Sequence, residues 1–334
     1  MPHRYKVREI AQQSGLSEAT VDRVLNDRPG VRENTRAEVA QAIADLDKQR
    51  AQLRLNGRRF LVDVVMQTPQ RFSDAFRAAI EAELPAFAPA MVRARFHLWE
   101  TGSTAQMAEV LDKIRGSHGV VLKAQDAPAV TEAVDRLVGT GVPVVTYSTD
   151  VPNSARCAYV GIDNHGAGVT AAYLMDQWLG SAPSGVLITL SGTVFRGEGE
   201  REVGFRSALR GSGREVVEVS DSDGVDATTE RLVLDALQRH PGVEAVYSPG
   251  GGNTATVAAF EKLGRKYKVF IAHDLDVDNR RLLRDGRVSV VLHNDLRADA
   301  RVAMRQILQQ HGALPAEAAR PAPIQVITPF NLPA

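Results

Sequence analysis

Cysteine and long apolar runs are scarce in this 334-residue chain, and each scarcity excludes a class of protein. The single cysteine, Cys157, excludes a framework of internal disulfides and favours a reducing compartment. No apolar run approaches the ~18 residues that cross a membrane, and no signal-peptide pattern opens the sequence. We therefore expect a cytoplasmic protein with no membrane partner. At 44% hydrophobic and 24% charged residues, the composition is typical of globular domains.

The formal net charge of zero conceals an uneven distribution along the chain. Residues 1–59 carry 12 basic and 8 acidic side chains, whereas residues 60–334 carry 28 basic and 32 acidic ones. A basic end on a mildly acidic body suits a phosphate-binding module attached to a domain that does not bind nucleic acid. Lysine and arginine are also the usual solvated residues of a surface, so this excess alone does not assign a function.

Residues 6–26, KVREIAQQSGLSEATVDRVLN, predict two short helices joined by a glycine turn. Apolar residues recur on one face of each helix: Val7, Ile10 and Ala11 in the first, and Val21, Val24 and Leu25 in the second. Gly15 ends the first helix, because a left-handed C-terminal residue costs glycine least. Ser17 can accept hydrogen bonds from the N–H groups that open the second. The pattern is that of a helix-turn-helix.

In a helix-turn-helix the second helix lies in the major groove, and its first residues meet base edges. Thr20 can also serve a phosphate, and the guanidinium of Arg23 matches the O6 and N7 atoms of guanine. The predicted DNA-binding residues of this region are Ser17, Glu18, Ala19, Thr20, Arg23, Asn26 and Arg36. An ordinary exposed pair of helices is the alternative for such a short pattern taken alone.

Pro29-Gly30-Val31 predicts a turn into a third amphipathic helix over Thr35–Leu46. With that helix the chain resembles the N-terminal domain of the lactose-repressor (LacI/GalR) family of bacterial transcription regulators. The resemblance depends on Val7, Ile10-Ala11, Gly15-Leu16-Ser17, Thr20-Val21, Arg23-Val24-Leu25-Asn26, Val31 and Thr35-Arg36. It implies a three-helix DNA-binding headpiece over residues 1–46.

Residues 47–59, DKQRAQLRLNGRR, are charged and lack a clear apolar period, which predicts a linker. In the family this segment is a hinge helix that drives a leucine into the minor groove, and such wedges kink DNA. The usual opening and core of that hinge are missing here, so either Leu53 or Leu55 is the candidate wedge. Arg54, with Arg50, Arg58 and Arg59, is either a phosphate contact or part of a solvated tether.

From Phe60 onward, short apolar runs alternate with longer amphipathic ones. Strands are predicted at 61–66, 92–98, 119–123, 143–147, 157–162, 185–190, 215–219, 243–248, 268–273, 288–293 and 324–328. Helices are predicted near 73–88, 104–115, 126–139, 164–180, 199–211, 226–240, 253–264, 277–285 and 295–311. This alternation indicates an α/β fold of parallel sheets with helices on both faces.

The family resemblance covers residues 60–334 as well, and it implies two lobes like those of periplasmic sugar-binding proteins. The chain is expected to cross between them near 162, 293 and 321. The N-terminal lobe would then hold 60–162 and 293–320, and the C-terminal lobe 163–292 and 321–334.

Ligands bind beyond the carboxyl ends of the strands in open parallel sheets, so the residues that follow each strand are candidates. The predicted effector-binding residues are Gln67, Phe72, Asp74, Ser148, Asp150, Arg201, Asn253, Asp274 and His293. Arg201 lies in an RxxGF segment where the family and its periplasmic relatives place a ligand-contacting arginine. Carboxylates, amides, hydroxyls, a guanidinium and a ring suit a small polar, sugar-like effector.

Several of these residues have a structural alternative. Asp74, Asp150 and Asn294 also suit helix N-caps, and Phe72 also suits the core. Asp163-Asn164, at the start of a crossover helix, suits a structural role better than ligand binding. The glycines in SPGGGN, residues 248–253, replace an asparagine-aspartate pair usual in relatives, so backbone groups are expected to serve recognition there.

Three sharper chemistries are disfavoured. Gly250-Gly251-Gly252 lacks the GxxxxGK[ST] or GxGxxG context of a nucleotide site. The segment DLDVDN, which begins at Asp274, lacks the glycine and glutamate of a calcium loop. Cys157 or Ser191 as a nucleophile would need a histidine base and an acid, and no motif supplies them. We expect no metal, no cofactor and no enzymatic activity.

The sequence thus predicts a DNA-binding transcription regulator, a repressor, that binds double-stranded operator DNA as a homodimer and responds to a small sugar-like effector. The alternatives are a solute-binding receptor for a transporter and, less favoured, a cytoplasmic sugar-modifying enzyme. The body alone would suit a receptor, but the headpiece would not.

Overall fold

A computed structural model describes residues 3–181, 184–192, 195–220, 222 and 226–333, without the side chains of residues 51–55. The helices are α1 Val7–Ser14, α2 Glu18–Leu25, α3 Glu33–Leu55, α4 Gln70–Glu83, α5 Thr104–Lys113, α6 Pro128–Gly139, α7 Asn164–Leu179, α8 Arg196–Leu209, α9 Asp226–Arg239, α10 Asn253–Lys262, α11 Val277–Arg284 and α12 Leu296–Gln310. The strands are β1 Arg59–Gln67, β2 Met91–Trp99, β3 Gly119–Lys123, β4 Val144–Tyr147, β5 Ala158–Val160, β6 Gly185–Thr189, β7 Val216–Val219, β8 Val243–Ser248, β9 Val269–His273, β10 Val290–His293 and β11 Gln325–Ile327.

Helices α1 to α3 form a small headpiece with a core of its own. Its buried residues are Tyr5, Ile10, Ala11, Val21, Val39 and Ala42. Gly15 ends α1 with a φ of 73°, in the left-handed region that the sequence predicted for it. The helix pair and the turn between them are therefore confirmed.

The third helix is longer than predicted, because α3 continues without a break from Glu33 to Leu55. Residues 47–55 contain neither proline nor glycine and consist mainly of lysine, glutamine, arginine, alanine and leucine, which all favour a helix. The predicted linker is thus helical over most of its length, and the helix ends shortly before Gly57, whose φ is 70°.

The N-terminal lobe is a five-stranded parallel sheet in the order β2-β1-β3-β4-β5. One face packs on α4 and α12 through a core that includes Phe76, Tyr147 and Met304. The other face packs on α5 and α6 through Leu111, Leu122 and Val134. The sheet is covered on both faces, as a parallel sheet requires.

The C-terminal lobe is a six-stranded sheet in the order β11-β10-β9-β8-β6-β7, in which only the pairing of β10 with β11 is antiparallel. The core on one face includes Phe205 of α8 and Met175 of α7. The core on the other face includes residues of α9, α10 and α11, such as Val233, Phe260 and Leu283. The α/β fold class predicted from the sequence is confirmed.

The chain passes between the two lobes at three places. It leaves β5 of the first sheet at Val160 for α7, and it leaves β10 of the second sheet at His293 for α12, which packs on the first. The third passage lies before β11 of the second sheet, where Ala322 forms an isolated β-bridge with Ile162.

Apart from α3, predicted and observed elements agree within a few residues, with one further exception. The helix predicted at 73–88 begins at Gln70 and ends at Glu83, and a 3-10 turn follows over Leu84–Phe87. Pro85 lies at the start of that turn, and because its nitrogen carries no hydrogen it cannot continue an α-helix.

Candidate functional sites

The start of α2 is capped by Ser17, whose Oγ accepts a hydrogen bond from the backbone N–H of Thr20 at 3.2 Å. The Ser17 and Thr20 hydroxyls also lie 2.8 Å apart. Ser17, Glu18 and Ala19 are exposed, and Thr20 is half-buried. The structure therefore presents the first turn of α2 on the surface, with its hydroxyls already engaged with each other and with the backbone.

The remaining headpiece candidates have partners within the headpiece. Arg23 is exposed and donates through Nη2 to the carbonyl oxygen of Pro29 at 3.1 Å. Asn26 donates to Asp22, and Arg36 is paired with Asp27 at 2.7 Å. To reach a base or a phosphate, Arg23 and Arg36 must exchange these contacts, and as DNA contacts all three residues stay predictions.

The hinge candidates Leu53, Arg54 and Leu55 lie in α3, but their side chains are outside the part of the chain that the structure describes. Arg58, offered as a phosphate contact or a tether residue, lies instead against the N-terminal lobe. Its Nη1 donates to the carbonyl oxygen of His311 at 3.2 Å, and its guanidinium lies 4.9 Å from the centre of the Phe60 ring.

A cleft separates the two lobes at the carboxyl ends of their strands, where the topology rule places a ligand. It holds a cavity of about 70 Å³. The lining residues from the N-terminal lobe are Gln67, Thr68, Pro69, Arg71, Phe72, Glu100, Lys123, Ser148 and Thr149. Those from the C-terminal lobe are Ser191, Phe195, Gly197, Glu198, Arg201, Pro249, Gly250, Gly251, His273, Asp274, Asp276 and Asn279.

On the N-terminal face, Lys123 lies at the end of β3 and is largely buried. Its Nζ is 3.7 Å from the centre of the Phe72 ring and 3.4 Å from Thr68 Oγ1. Burial lowers the pKa of Lys123 to about 8, although Asp274 and Glu198 oppose that shift. Phe72 is buried and contacts the core as well as the cleft, so the two predicted roles for it are compatible.

On the C-terminal face, Arg201 is only 4% exposed. Its Nε donates to Asn164 Oδ1 at 2.8 Å, and its Nη1 donates to the carbonyl oxygen of Pro249 at 3.2 Å. Burial lowers the pKa of His273 well below its usual value, because desolvation disfavours the charged imidazolium. The nearby positive charge of Arg201 lowers this pKa further. His273 therefore stays neutral, with Nε2 at 3.0 Å from the hydroxyl of Tyr247.

Glu198, in the first turn of α8, is held by Ser191, whose backbone N–H donates to it at 2.8 Å and whose hydroxyl donates at 2.5 Å. Burial raises the pKa of Glu198, while those two hydrogen bonds oppose the shift. Ser191, considered above as a nucleophile, is therefore a hydrogen-bond donor to a carboxylate. Among the described residues, no histidine forms a hydrogen bond with it.

Several contacts between described residues join the lobes directly across the cleft. Arg71 Nε is paired with Asp276 Oδ2 at 2.8 Å, and both side chains are largely buried. Arg196 lies 3.6 Å from Asp126 in a more exposed pair. The N–H of Gly197 donates to Thr149 Oγ1 at 3.1 Å. The two lobes are therefore in direct contact with each other beside the cleft.

Ser148 and Asp274 share an uncommon backbone conformation, with a φ of 64° each. Each follows a strand, β4 or β9, and donates its backbone N–H to the next strand, to Val160 or Leu292. Left-handed residues other than glycine cost free energy and collect at functional sites. The two lobes therefore present equivalent strained residues to the cleft.

The glycine run after β8 turns the chain into α10, with Gly251 and Gly252 at φ values of 92° and 70°. A Cβ on Gly251 would lie 2.6 Å from Arg71 Nη2, so a side chain there would displace the arginine. Pro249 and Gly250 also line the cleft, and the predicted use of backbone groups in this segment stays a prediction.

Of the predicted effector residues, Gln67, Phe72, Ser148, Arg201 and Asp274 line the cleft. The other four, which are Asp74, Asp150, Asn253 and His293, lie outside the lining and have protein partners. Asp150 is paired with Arg156 at 2.5 Å, and Asn253 donates to Asn279 at 2.6 Å. As effector contacts these nine residues stay predictions.

The three N-cap alternatives are wrong, whereas the structural interpretations of Phe72 and Asp163 are confirmed. Asp150 is followed by a turn and not by a helix. Asp74 lies inside α4 rather than at its N-cap, because that helix already begins at Gln70. Asp295, and not Asn294, caps α12. Asp163 caps α7 by accepting from Gly166 N at 2.9 Å, as its structural interpretation predicted.

The sequence reasoning missed Lys123, Arg71 and Glu198. Lys123 ends a predicted strand, so the same topology rule would have found it had it been applied to β3. Arg71 and Glu198 lie in the first turns of helices that follow strands and carry no motif. Only the approach of the two lobes brings them to one site.

The described residues bear on the thiol and metal chemistries considered above. Burial raises the pKa of the Cys157 thiol to about 11, the reverse of what an activated nucleophile needs. Across the described part of the chain, no group of three or more His, Cys, Asp or Glu side chains is placed to hold a metal ion. None of the helices described is long and apolar enough to cross a membrane.

Two family descriptions match the chain in succession. Residues 6–48 match "Bacterial regulatory proteins, lacI family", and residues 64–313 match "Periplasmic binding protein domain". The first match covers the helix-turn-helix and the start of the third helix, and the second covers most of both lobes. The chain belongs to the periplasmic binding protein domain family over its two lobes, and its headpiece is a match to the lacI family of bacterial regulatory proteins.

Among curated proteins, the chain is similar to the HTH-type transcriptional regulator reg1 of Streptomyces lividans, with 34% identity over 152 residues, 42% of this chain and 41% of that protein. It is also similar to the periplasmic protein TorT of Escherichia coli, with 27% identity over 194 residues, 57% of this chain and 55% of that protein. The chain thus matches about half the length of these relatives or less.

Solved structures share the fold of the two lobes. A glucose-galactose binding protein, GanP, from Geobacillus stearothermophilus aligns with a TM-score of 0.74 at 19% identity, over 83% of this chain and 99% of that one. A solute binding protein from Burkholderia graminis, solved with D-arabinose, aligns with a TM-score of 0.73 at 21% identity, over 83% of this chain and 97% of that one. At these identities the likeness concerns the fold alone.

Proposed function

We propose that this protein is a sequence-specific transcription regulator, a repressor, that binds operator DNA in the cytoplasm as a homodimer. The observation that carries the proposal is the exposed first turn of α2 on a separately packed helix-turn-helix, in a headpiece that matches the lacI family. Two headpieces related by a two-fold axis would read two half-sites related by the same symmetry. The alternative of a transport receptor gives no role to this surface.

We further propose that a small polar effector, a sugar or a sugar derivative, binds in the cleft and controls operator affinity. Support comes from the polar lining between two lobes that also contact each other directly. An effector that favours one arrangement of the lobes would change DNA affinity, and DNA would change effector affinity by the same factor. The lobes would comprise 60–162 with 293–320 and 163–292 with 321–334, joined to the headpiece by residues 47–59.

Genome-wide capture of DNA bound to the full-length protein would identify the operator, and fluorescence anisotropy would then measure its affinity. We expect Arg23→Ala to weaken operator binding by about ten- to hundredfold at physiological salt, because a bidentate arginine–guanine contact contributes ~1–3 kcal/mol. Arg210→Ala removes the same charge from an exposed site on the body and should leave the affinity unchanged.

Three outcomes separate the candidate functions. Operator binding that changes with an added sugar supports the regulator. Sugar binding without affinity for any genomic fragment would favour a solute receptor and would refute the regulator. Turnover of a bound sugar would favour the enzyme.

A further inference from the structure

The cleft contains a lysine that the protein itself does not neutralise by contact. Within the described residues, Lys123 Nζ has no ion pair, and its hydrogen-bond partner is Thr68 Oγ1 at the long distance of 3.4 Å. The ammonium carries three donors, and the Phe72 ring covers one side of it at 3.7 Å. A largely buried cation is costly unless an acceptor of opposite charge reaches it.

Asp274, across the cleft, is the opposite case. Its backbone carbonyl accepts from Asn279 Nδ2 at 2.7 Å, but its carboxylate accepts no hydrogen bond from the residues that the structure describes. Its φ of 64° lies in the left-handed region, so the backbone is strained at this position. Asp274 contributes to the electrostatics of Lys123 without contacting it, so the two charges face the same cavity and do not satisfy each other.

The other charged residues of the cleft already have partners. Arg71 is paired with Asp276 at 2.8 Å, and Glu100 accepts from the N–H of Gln70 at 2.8 Å. Arg201 donates to Asn164 and Pro249, and Glu198 accepts twice from Ser191. Lys123 on the N-terminal face and Asp274 on the C-terminal face are thus left for a ligand.

We propose that the effector is a sugar acid, whose carboxylate is paired with Lys123 and whose hydroxyls donate to Asp274. This inference rests on the proposed function, since it takes the cleft as the effector site. A carboxylate supplies the acceptor that Lys123 lacks, and hydroxyls supply the donors that Asp274 lacks. Lys123 is then the residue that makes the site prefer an acid over a neutral sugar.

A zwitterion such as an amino acid fits the same two charges but fits the rest of the cleft less well. Arg71 and Arg201 line the same cavity, and their guanidinium groups carry the same charge as an ammonium. The lining also offers several neutral groups, among them Gln67, Thr68 and Ser148. Several hydroxyls use such groups, whereas a single ammonium does not.

The test is titration calorimetry on the full-length protein at pH 7 with matched pairs of ligands: D-galacturonate against D-galactose, and D-glucuronate and D-gluconate against D-glucose. We expect at least one acid to bind about tenfold or more tightly than its neutral partner, the effect of a charged hydrogen bond. Lys123→Met should abolish that preference by weakening acid binding, while Lys123→Arg should preserve it. Lys266→Met removes an exposed lysine far from the cleft lining and serves as the charge-matched control.

Tighter binding of a neutral sugar, or an acid preference that survives in Lys123→Met, would overturn the inference. So would binding of L-serine or L-glutamate in preference to every sugar acid, or no acid binding at millimolar concentrations. Circular dichroism and operator binding of each variant establish that it is folded. If the protein binds its operator and responds to a neutral sugar, only this inference fails, whereas absence of operator binding is a failure of the proposed function.

Discussion

The two lobes repeat one scaffold. Ser148 and Asp274 occupy equivalent left-handed positions after β4 and β9. Each lobe also stacks a buried strand tyrosine on a helix phenylalanine, Tyr147 on Phe76 with ring centres 4.0 Å apart in the first and Tyr247 on Phe205 at 4.3 Å in the second. The backbone conformation directly after these two strands is thus the same on both sides of the cleft.

The chemistry that the scaffold carries differs between the lobes. The N-terminal face presents Arg71 and Lys123 together with the exposed Glu100, whereas the C-terminal face presents Glu198, Asp274 and Asp276 around the buried guanidinium of Arg201. Opposite charges on facing surfaces draw the lobes together and orient a dipolar ligand. The fold therefore fixes where the side chains of the two lobes meet, while the identity of those side chains sets what the cleft can bind.

The C-terminal lobe should be most sensitive where α7 and α8 touch. A Cβ added at Gly168 would lie 1.9 Å from the backbone oxygen of Arg201, so Gly168→Ala must push α8 and its arginine out of place. We expect a loss of about 3 kcal/mol in the free energy of unfolding, at the upper end for overpacking, together with loss of effector binding. Urea unfolding and calorimetry measure the two effects.

Gly199→Ala, in the neighbouring helix α8, is the matched glycine-to-alanine control. Nothing lies within 4 Å of a Cβ at that position, and alanine favours a helix over glycine. It should raise the free energy of unfolding by about 0.5–1 kcal/mol. Equal destabilisation by both changes would contradict the packing argument.

Arg201→Leu tests the guanidinium of the C-terminal face directly. It leaves Asn164 Oδ1 and the Pro249 carbonyl without their donor, and it removes a buried positive charge from the cleft lining. Effector affinity should fall about a hundredfold, and the free energy of unfolding should fall by about 1–3 kcal/mol. Arg210→Leu, on the exposed surface, should change neither quantity, and an unchanged affinity in Arg201→Leu would remove this residue from the site.

Arg71→Met tests the pairing between the lobes and keeps most of the apolar stem. Without the contact to Asp276, the unliganded protein should open, and effector affinity should fall by about tenfold because closure then has a larger cost. Small-angle scattering should report a larger radius of gyration. Arg196→Met, which removes the more exposed cross-lobe pair with Asp126, should have a smaller effect.

The smallest effect is a pH dependence that belongs to the N-terminal face. Lys123 has a pKa of about 8 in the unliganded protein, lowered by burial and by Arg201 and Arg71, and raised in part by Asp274 and Glu198. Its ammonium is lost as pH rises through 8, so affinity for a sugar acid should decline between pH 7 and 9.5 while affinity for a neutral sugar stays nearly constant. Calorimetry at both pH values checks this.

The same pKa shift affects stability with the opposite sign. Between pH 8 and 10.5 the unfolded chain holds more of the Lys123 proton than the folded protein does, so stability rises with pH across that window. The stability of the wild-type protein relative to Lys123→Met should therefore improve from pH 7 to pH 10. A constant difference would show that burial does not perturb this amine.

The headpiece and the order of strands and helices could be predicted from sequence because both depend on local pattern. Gly15, Ser17 and the apolar faces of α1 and α2 lie within a few turns of one another. The length of α3 was misjudged for a related reason, since its C-terminal half lacks an apolar period and yet consists of helix-forming residues.

The cleft was predicted only in part. Gln67, Ser148 and Asp274 follow strands, and position along the chain was enough to name them. Asp150 and His293 also follow or end strands, but Arg156 and the backbone of Leu275 engage them away from the lining. A rule of position cannot tell which polar side chain turns toward a ligand and which turns toward a neighbour.

The amino-acid pattern by itself determined a helix-turn-helix followed by two covered parallel sheets, because periodicity of 3.6 or 2 residues and a few turn residues act over short distances. Tertiary structure alone decided that Arg71 meets Asp276, and that Lys123 and Asp274 face one cavity without neutralising each other. Such relations depend on the approach of segments that are remote in sequence. They also depend on the exclusion of water between those segments, which strengthens the electrostatic interactions of each unpaired charge.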